Sequence, residues 1–242
     1  MAPAPNTDDP RIVAGMAAQG RLRESRLRAG ERRVGWKAGL GTAQAMEAVS
    51  IAAPLAGFLT DGSLVSAPTA ADGLSVQEWP NARLEAEIAV RVQQTVPAGS
   101  DHDTVAAAVA EIVPAIEIVD LGDVADIEQV LAANLFHRAF LFGPFAPATA
   151  AQLAAARLTV SQQGEDARTG IDPGELLGDL VEVVRALADQ IPLSGDELRA
   201  GDVVMTGSAI APVPLLGGER FEVALDGGGA VTLAIAPRSA AG

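Results

Sequence analysis

The segment RLEAEIAVRV, residues 83–92, constrains the fold more than any other stretch of the chain. Leucine, glutamate and alanine favour helix, whereas isoleucine and valine favour strand, and the strict period of two decides for strand. On a strand, Glu85 and Glu87 share one face while Leu84, Ala86, Ile88 and Val90 take the other. On a helix the two glutamates would diverge by about 200°. The apolar face of such a strand has to be covered by a second layer. The acidic face places two like charges side by side, which repel unless solvent or a cation lies between them. A solvated strand face and a metal site both fit this spacing, and the spacing alone leaves both open.

A third acid bears on that choice. Glu117 sits in PAIEIVD between Ile116 and Ile118, in a strand-like run with few polar residues. Glutamate is seldom buried there unless it is paired or bound to a metal. Three carboxylates, with no cysteine and two histidines in the chain, make a hard all-oxygen ligand set that suits Mg²⁺ or Mn²⁺ and is poor for structural zinc. Lys37, in GWKAGL, adds a base. Facing inward it would serve as a proton carrier; facing outward it is a surface lysine at a strand end.

The rest of the chain reads as an α+β mixture. A helix is expected over residues 9–29, stopped by Gly30, then a strand in VGWKAGL and a small helix over 42–49. Residues 53–73, crowded with Gly, Pro, Asp and Ser, read as loops and short strands. Ser100 and Asp103 form a capping-box pattern for a helix running to residue 113, ended by Pro114. AIEIVD and residues 141–142 are strand candidates, and residues 157–171 a hairpin turning at 163–166. DPGELLGDLVEVVRALADQI reads as one helix with Asp172 as N-cap, Pro173 at its first position and Glu175 completing the box. GDVVMTGS, RFEVAL and GGGAVTLAIA are strands, with a tight turn at 226–229. No segment reads as a linker and no period repeats, so one domain over residues 1–242 is expected, its first 30 residues a helical arm.

Composition narrows the partners. A net charge of −14 disfavours a nucleic-acid backbone or an anionic membrane as partner, and no run is long and apolar enough for a membrane span. The absence of cysteine excludes disulfides and thiolate chemistry and points to a reducing compartment, the cytoplasm. The N-terminus MAPAPNTDDPR lacks the basic start and apolar stretch of a signal peptide.

Taken in order, VGWKAGL, GFLTDGSLV, ARLEAEIAV, VPAIEIVD, FLFGP, LRAGDVVMTGS and VPLLGGERFEV resemble the fumarylacetoacetate hydrolase superfamily, in its branch of 2-oxopent-4-enoate hydratases and 4-oxalocrotonate decarboxylases. The resemblance implies a mixed β-roll with flanking helices. It implies metal ligation by Glu85, Glu87 and Glu117, and catalytic roles for Lys37 and for Asp61 of the Gly-x-Leu-x-Asp segment. Two stretches depart from the family pattern. Where hydratases carry an Asp-Asn-Ala-Ser-Ser-Gly-like run, this chain has AANLFHRAFLFG, which keeps Asn134 but brings in Phe136, His137 and Arg138. The Gly-Ser-Leu-Thr pattern becomes Gly207, Ser208, Ala209 and Ile210, without its threonine. Asn134, His137, Arg138 and Ser208 are candidate substrate contacts: an arginine can clamp a second carboxylate and a histidine can move protons, or both can be structural.

The implied function is that of a divalent-metal lyase for small 2-oxo or 2-hydroxy carboxylic acids, a hydratase of 2-hydroxypenta-2,4-dienoate in aromatic meta-cleavage catabolism. A 4-oxalocrotonate-type decarboxylase, an acylpyruvate-type carbon–carbon hydrolase and a non-catalytic scaffold paralogue are the alternatives. By the same resemblance a homo-oligomer, a dimer or larger, is expected.

Overall fold

The computed structural model describes residues 6–238; the first five residues of the expected N-terminal arm lie outside them. Helix α1 (Pro10–Arg28) begins where the Asp9 side chain accepts from Arg11 N, as its sequence predicts. It is no detached arm. Ile12 and Met16 are fully buried, and Gln19 donates to the carbonyls of Ala56 and Leu131, so the helix is stitched to the body of the protein.

The chain then runs through β1 (Arg33–Gly39), α2 (Ala43–Val49) and β2 (Leu55–Thr60). Every residue of β2 is buried, so the segment expected as loops and short strands holds a core strand, followed by α3 (Ala67–Asp72). Strand β3 (Ala82–Val92) covers the alternating segment. The helix expected over residues 100–113 is a correction: α4 (His102–Ala108) is capped by Asp101, not Ser100, and strand β4 (Val109–Asp120) runs straight through Pro114. Pairing with β3 overrides the local helix signal. Pro114 is tolerated because only its carbonyl is used toward Gly143, at the break between β5 (His137–Phe142) and β6 (Ala146–Pro147), which follow α5 (Ile127–Ala132).

After α6 (Ala150–Ala155), the predicted hairpin forms as β7 (Leu158–Gln162) and β8 (Arg168–Ile171). The single helix expected next is two, α7 (Gly174–Leu177) and α8 (Leu180–Gln190), broken at Gly178 with φ 72° and restarted by the Asp179 cap. Strands β9 (Val203–Ser208), β10 (Val213–Pro214), β11 (Arg220–Leu225) and β12 (Ala230–Ala234) complete the chain.

The larger sheet is a curled half-barrel in the order β2-β1-β9-β3-β4-β5, with β10 on β3 and β6 on β4. Within it β1 and β9 run parallel. The smaller sheet is antiparallel, β12-β11-β7-β8. Leu84, Ala86, Ile88 and Val90, on one face of β3, belong to the main core shared with the helices and with Phe221, Val223 and Leu233 of the smaller sheet. Ala89, Ala115, Phe140, Met205 and Leu59 form a separate apolar cluster on the opposite face, the face that also carries Glu85 and Glu87. Among the described residues no helix is long and apolar enough to cross a membrane.

Candidate metal centre

Strand register brings the acids together. Glu85 of β3 lies directly opposite Glu117 of β4, and Glu87 sits two residues along the same face of β3. Each of the three offers a carboxylate oxygen within 4.8 Å of the others. Glu87 and Glu117 are fully buried, while Glu85 keeps partial exposure.

Each buried carboxylate has one oxygen held and one free. Glu87 Oε2 accepts from Gly207 N at 2.9 Å, whereas its Oε1 has no partner. Glu117 Oε1 accepts from Lys37 Nζ at 2.6 Å and lies 2.7 Å from His137 Nδ1, whereas its Oε2 has no partner. Orphaned carboxylate oxygens in a protein interior are costly. Here they occur on two neighbouring acids that both reach toward the third. Three carboxylates against one ammonium leave two uncompensated negative charges, the amount a divalent cation cancels. The donor set and its orphaned atoms therefore fit a hard dication.

The electrostatics follow from this crowding. Burial, and then the charge of Glu117, push the Glu85 carboxyl up to about 7 against the pull of Lys37. Burial and the other two acids push Glu87 well above the carboxylate range. Burial alone would raise Glu117 too, but the Lys37 ammonium and His137 hold it below its usual value. For Lys37, burial works against the charge, yet Glu117 and Glu85 outweigh it and keep the amine protonated. Burial lowers His137, so its imidazole is neutral near pH 7 and its Nδ1–H donates to Glu117.

Sequence reasoning places Lys37, Glu85, Glu87 and Glu117 in one site, and the structure brings these four together. The other expectations fare differently. His137 is buried against Glu117, with Nε2 2.9 Å from Ser63 Oγ, so it orients a carboxylate rather than facing a substrate. Asn134 is fully used: its Oδ1 accepts from Phe58 N and its Nδ2 donates to Phe58 O, pinning the turn before β5 onto β2. Arg138 is a correction. It is the extra residue of a β-bulge opposite Ile118 and Val119, donates to His137 O and pairs with Asp120, on the face away from Glu117. Asp61, expected to be catalytic, is engaged at both oxygens by the backbone N and Nε of Arg32. Ser208, in register with Glu87, donates its hydroxyl to Ile210 O.

Three contributions were not foreseen: Ser63 on His137, the Leu135 carbonyl on Lys37 Nζ and the Gly207 amide on Glu87. Of these only Gly207 left a signal, a glycine inside the strand TGS, which marks close backbone approach. Lys37 and Glu85 border a cavity of about 50 Å³ whose remaining walls include Leu40, Leu121, Leu135 and Phe136.

This β-roll with a carboxylate trio between strands carries a known sequence profile: the fumarylacetoacetate (FAA) hydrolase C-terminal family matches residues 34–236. The chain belongs to that family. A 2-hydroxyhexa-2,4-dienoate hydratase of Comamonas testosteroni is 30% identical over 218 residues, covering 88% of this chain and 81% of the relative. A 4-oxalocrotonate decarboxylase of Pseudomonas putida is 27% identical over 221 residues, covering 88% and 81%. Among solved structures, 4-oxalocrotonate decarboxylase from Pseudomonas putida G7, complexed with magnesium and adipate, superposes with a TM-score of 0.77 at 26% identity, covering 90% of this chain and 83% of the other. The fumarylacetoacetate hydrolase fold expected from the sequence is thus the fold observed.

Proposed function

We propose that this member of the family is a divalent-metal-dependent hydratase of small 2-hydroxy-2,4-dienoic acids, of the 2-hydroxypenta-2,4-dienoate type, in which Glu85, Glu87 and Glu117 hold Mg²⁺ or Mn²⁺. The observation that carries this reading is the pair of buried, unpartnered carboxylate oxygens on Glu87 and Glu117, converging with Glu85. The hydratase relative and the magnesium complex of the related decarboxylase support it. When bound, the ion supplies a Lewis acid for the carboxylate end and C2 oxygen of the substrate.

The chain's own residues supply the rest. Lys37, kept as an ammonium by its acidic neighbours, donates a proton to C5 and takes up the one released from the 2-hydroxyl, converting the dienol to the 2-oxo-3-enoate. Water then adds across the remaining double bond, its hydroxyl to C4 and its proton to C3. His137 and Lys37 together fix Glu117 Oε1, leaving Oε2 for the ion. The apolar walls beside Lys37 limit solvent at the reacting carbons.

A 4-oxalocrotonate-type decarboxylase is the second reading, favoured by the structural likeness to such an enzyme. The pairing of Arg138 with Asp120 weighs against it, because it leaves that arginine unavailable to a second carboxylate. Loss of dienol absorbance from 2-hydroxypenta-2,4-dienoate, with Mg²⁺ or Mn²⁺ and with EDTA, tests the proposal. Metal-dependent turnover is expected; turnover of 4-oxalocrotonate alone would replace hydration by decarboxylation. The homo-oligomer and the cytoplasmic setting expected from the sequence belong to the same proposal, and native mass measurement checks the former.

A further inference from the structure

Three consecutive residues that are not glycine, Asn134, Leu135 and Phe136, adopt left-handed backbone angles, with φ of 63°, 54° and 61°. Such a run is unfavourable for each residue and persists only where its surroundings impose it. They do so here at both ends. Asn134 is clamped to both backbone groups of Phe58, Phe136 O accepts from Asp120 N, and the next residue, His137, is fixed on Glu117. The turn thus holds Leu135 and Phe136 against a cavity that Lys37 and Glu85 border. The Phe136 ring is also constrained from outside: a Cβ added at Gly122 would lie 3.1 Å from its Cε1. The cavity lining joins the charged Lys37 and Glu85 to the apolar Leu40, Val119, Leu121, Leu135 and Phe136, and its volume of about 50 Å³ holds only a few atoms.

We propose that Phe136 is a specificity-determining residue: its ring closes the far end of the pocket and restricts the site to acids with short, uncharged tails. This rests on the reading that a 2-oxo or 2-hydroxy acid binds at the carboxylate trio. A carboxylate at the tail would meet apolar walls, with Arg138 turned away on Asp120. Poor fit of even one extra methylene in such a pocket changes selectivity by about tenfold or more.

Phe136→Gly is the informative variant, because glycine accepts the left-handed backbone without strain and the ring is removed with the turn preserved. Phe136→Leu serves as the conservative partner. Calorimetry with Mn²⁺ would compare binding of pyruvate, 2-oxohexanoate and 2-oxooctanoate, alongside turnover of 2-hydroxypenta-2,4-dienoate. The wild type is expected to bind pyruvate in preference to the longer acids, and Phe136→Gly to shift that ratio at least tenfold toward 2-oxooctanoate, with Phe136→Leu between. An unchanged ratio in both variants overturns the role of Phe136, even if the dienoate is hydrated. A shifted ratio without any dienoate turnover upholds Phe136 and overturns the hydratase reading instead. Failure of every 2-oxo acid to bind wild type and variants alike overturns both.

Discussion

At the scale of single residues, the site is a balance of charge among buried and half-buried side chains. Replacing Glu87 or Glu117 by glutamine keeps the shape but removes one ligand charge. Each change is expected to weaken Mn²⁺ binding by at least 100-fold, read by calorimetry on the folded variant. Lys37→Met should act differently, because it removes the proton carrier and not a ligand. Turnover is expected to fall by about 10²–10⁴-fold, more than Mn²⁺ binding weakens once Glu117 Oε1 loses its lysine. Glu85 makes a pH prediction. Its carboxyl in the folded, metal-free protein is raised from 4.5 to about 7 by burial and by Glu117. Folding therefore binds a proton at this position. The penalty is absent below about pH 4.5, grows as pH rises, and is complete above about pH 7. In EDTA, urea unfolding should show the wild type losing stability relative to Glu85→Gln across that window, and saturating Mg²⁺ should abolish the difference. The three glutamates were legible in the sequence, since period-two spacing and a glutamate between isoleucines are local signals, whereas Lys37 was given its role by the family resemblance. Ser63 and the Leu135 carbonyl were not legible, because nothing near them in the chain announces what they touch.

At the scale of elements, local propensity lost wherever pairing or packing offered more. The capping signal near residue 100 was real, but the segment after Ala108 carries Val109, Ile112 and Val113, which pair with β3 as β4. The break at Gly178 was also readable in kind, since a glycine followed by Asp179 is a stop and a new cap. The β-bulge at Arg138 was not. It rephases β5 so that His137 and Phe140 both face Glu117, their rings 5.8 Å apart, although three residues apart on a regular strand they would point to opposite faces. The turn that precedes it depends on Asn134. Asn134→Ala leaves two backbone groups of Phe58 unmatched and loses a residue suited to left-handed angles. We expect a cost of about 3 kcal/mol, measured by urea unfolding, and a weaker Mn²⁺ affinity because His137 loses its setting.

At the scale of the whole molecule, α1 and β1 are joined to the segment before β9 by a partly buried ionic network centred on Asp196. Asp196 pairs with Arg23, Arg33 and Arg199, and Arg33 also pairs with Asp202. The guanidinium groups of Arg23 and Arg33 each lie 5.4 Å from the Trp36 ring, one residue before the site lysine. Asp196→Ala leaves those arginines without their shared counter-charge. It is expected to destabilise the protein by about 3–5 kcal/mol, seen as a lower urea midpoint with an unchanged slope. The sequence by itself determined the strand that carries the acids, the hard-oxygen character of the ligand set, the α+β class and the family, because each rests on short-range periodicity, residue chemistry or motifs in order. The tertiary structure alone decided that Arg138 pairs with Asp120 and Asp61 with Arg32, that His137 turns in to Glu117, and that Phe136 lines the cavity beside Lys37. Those outcomes hang on register, a bulge and contacts between residues far apart in the chain, and such long-range pairings leave no periodic trace in the residues they join.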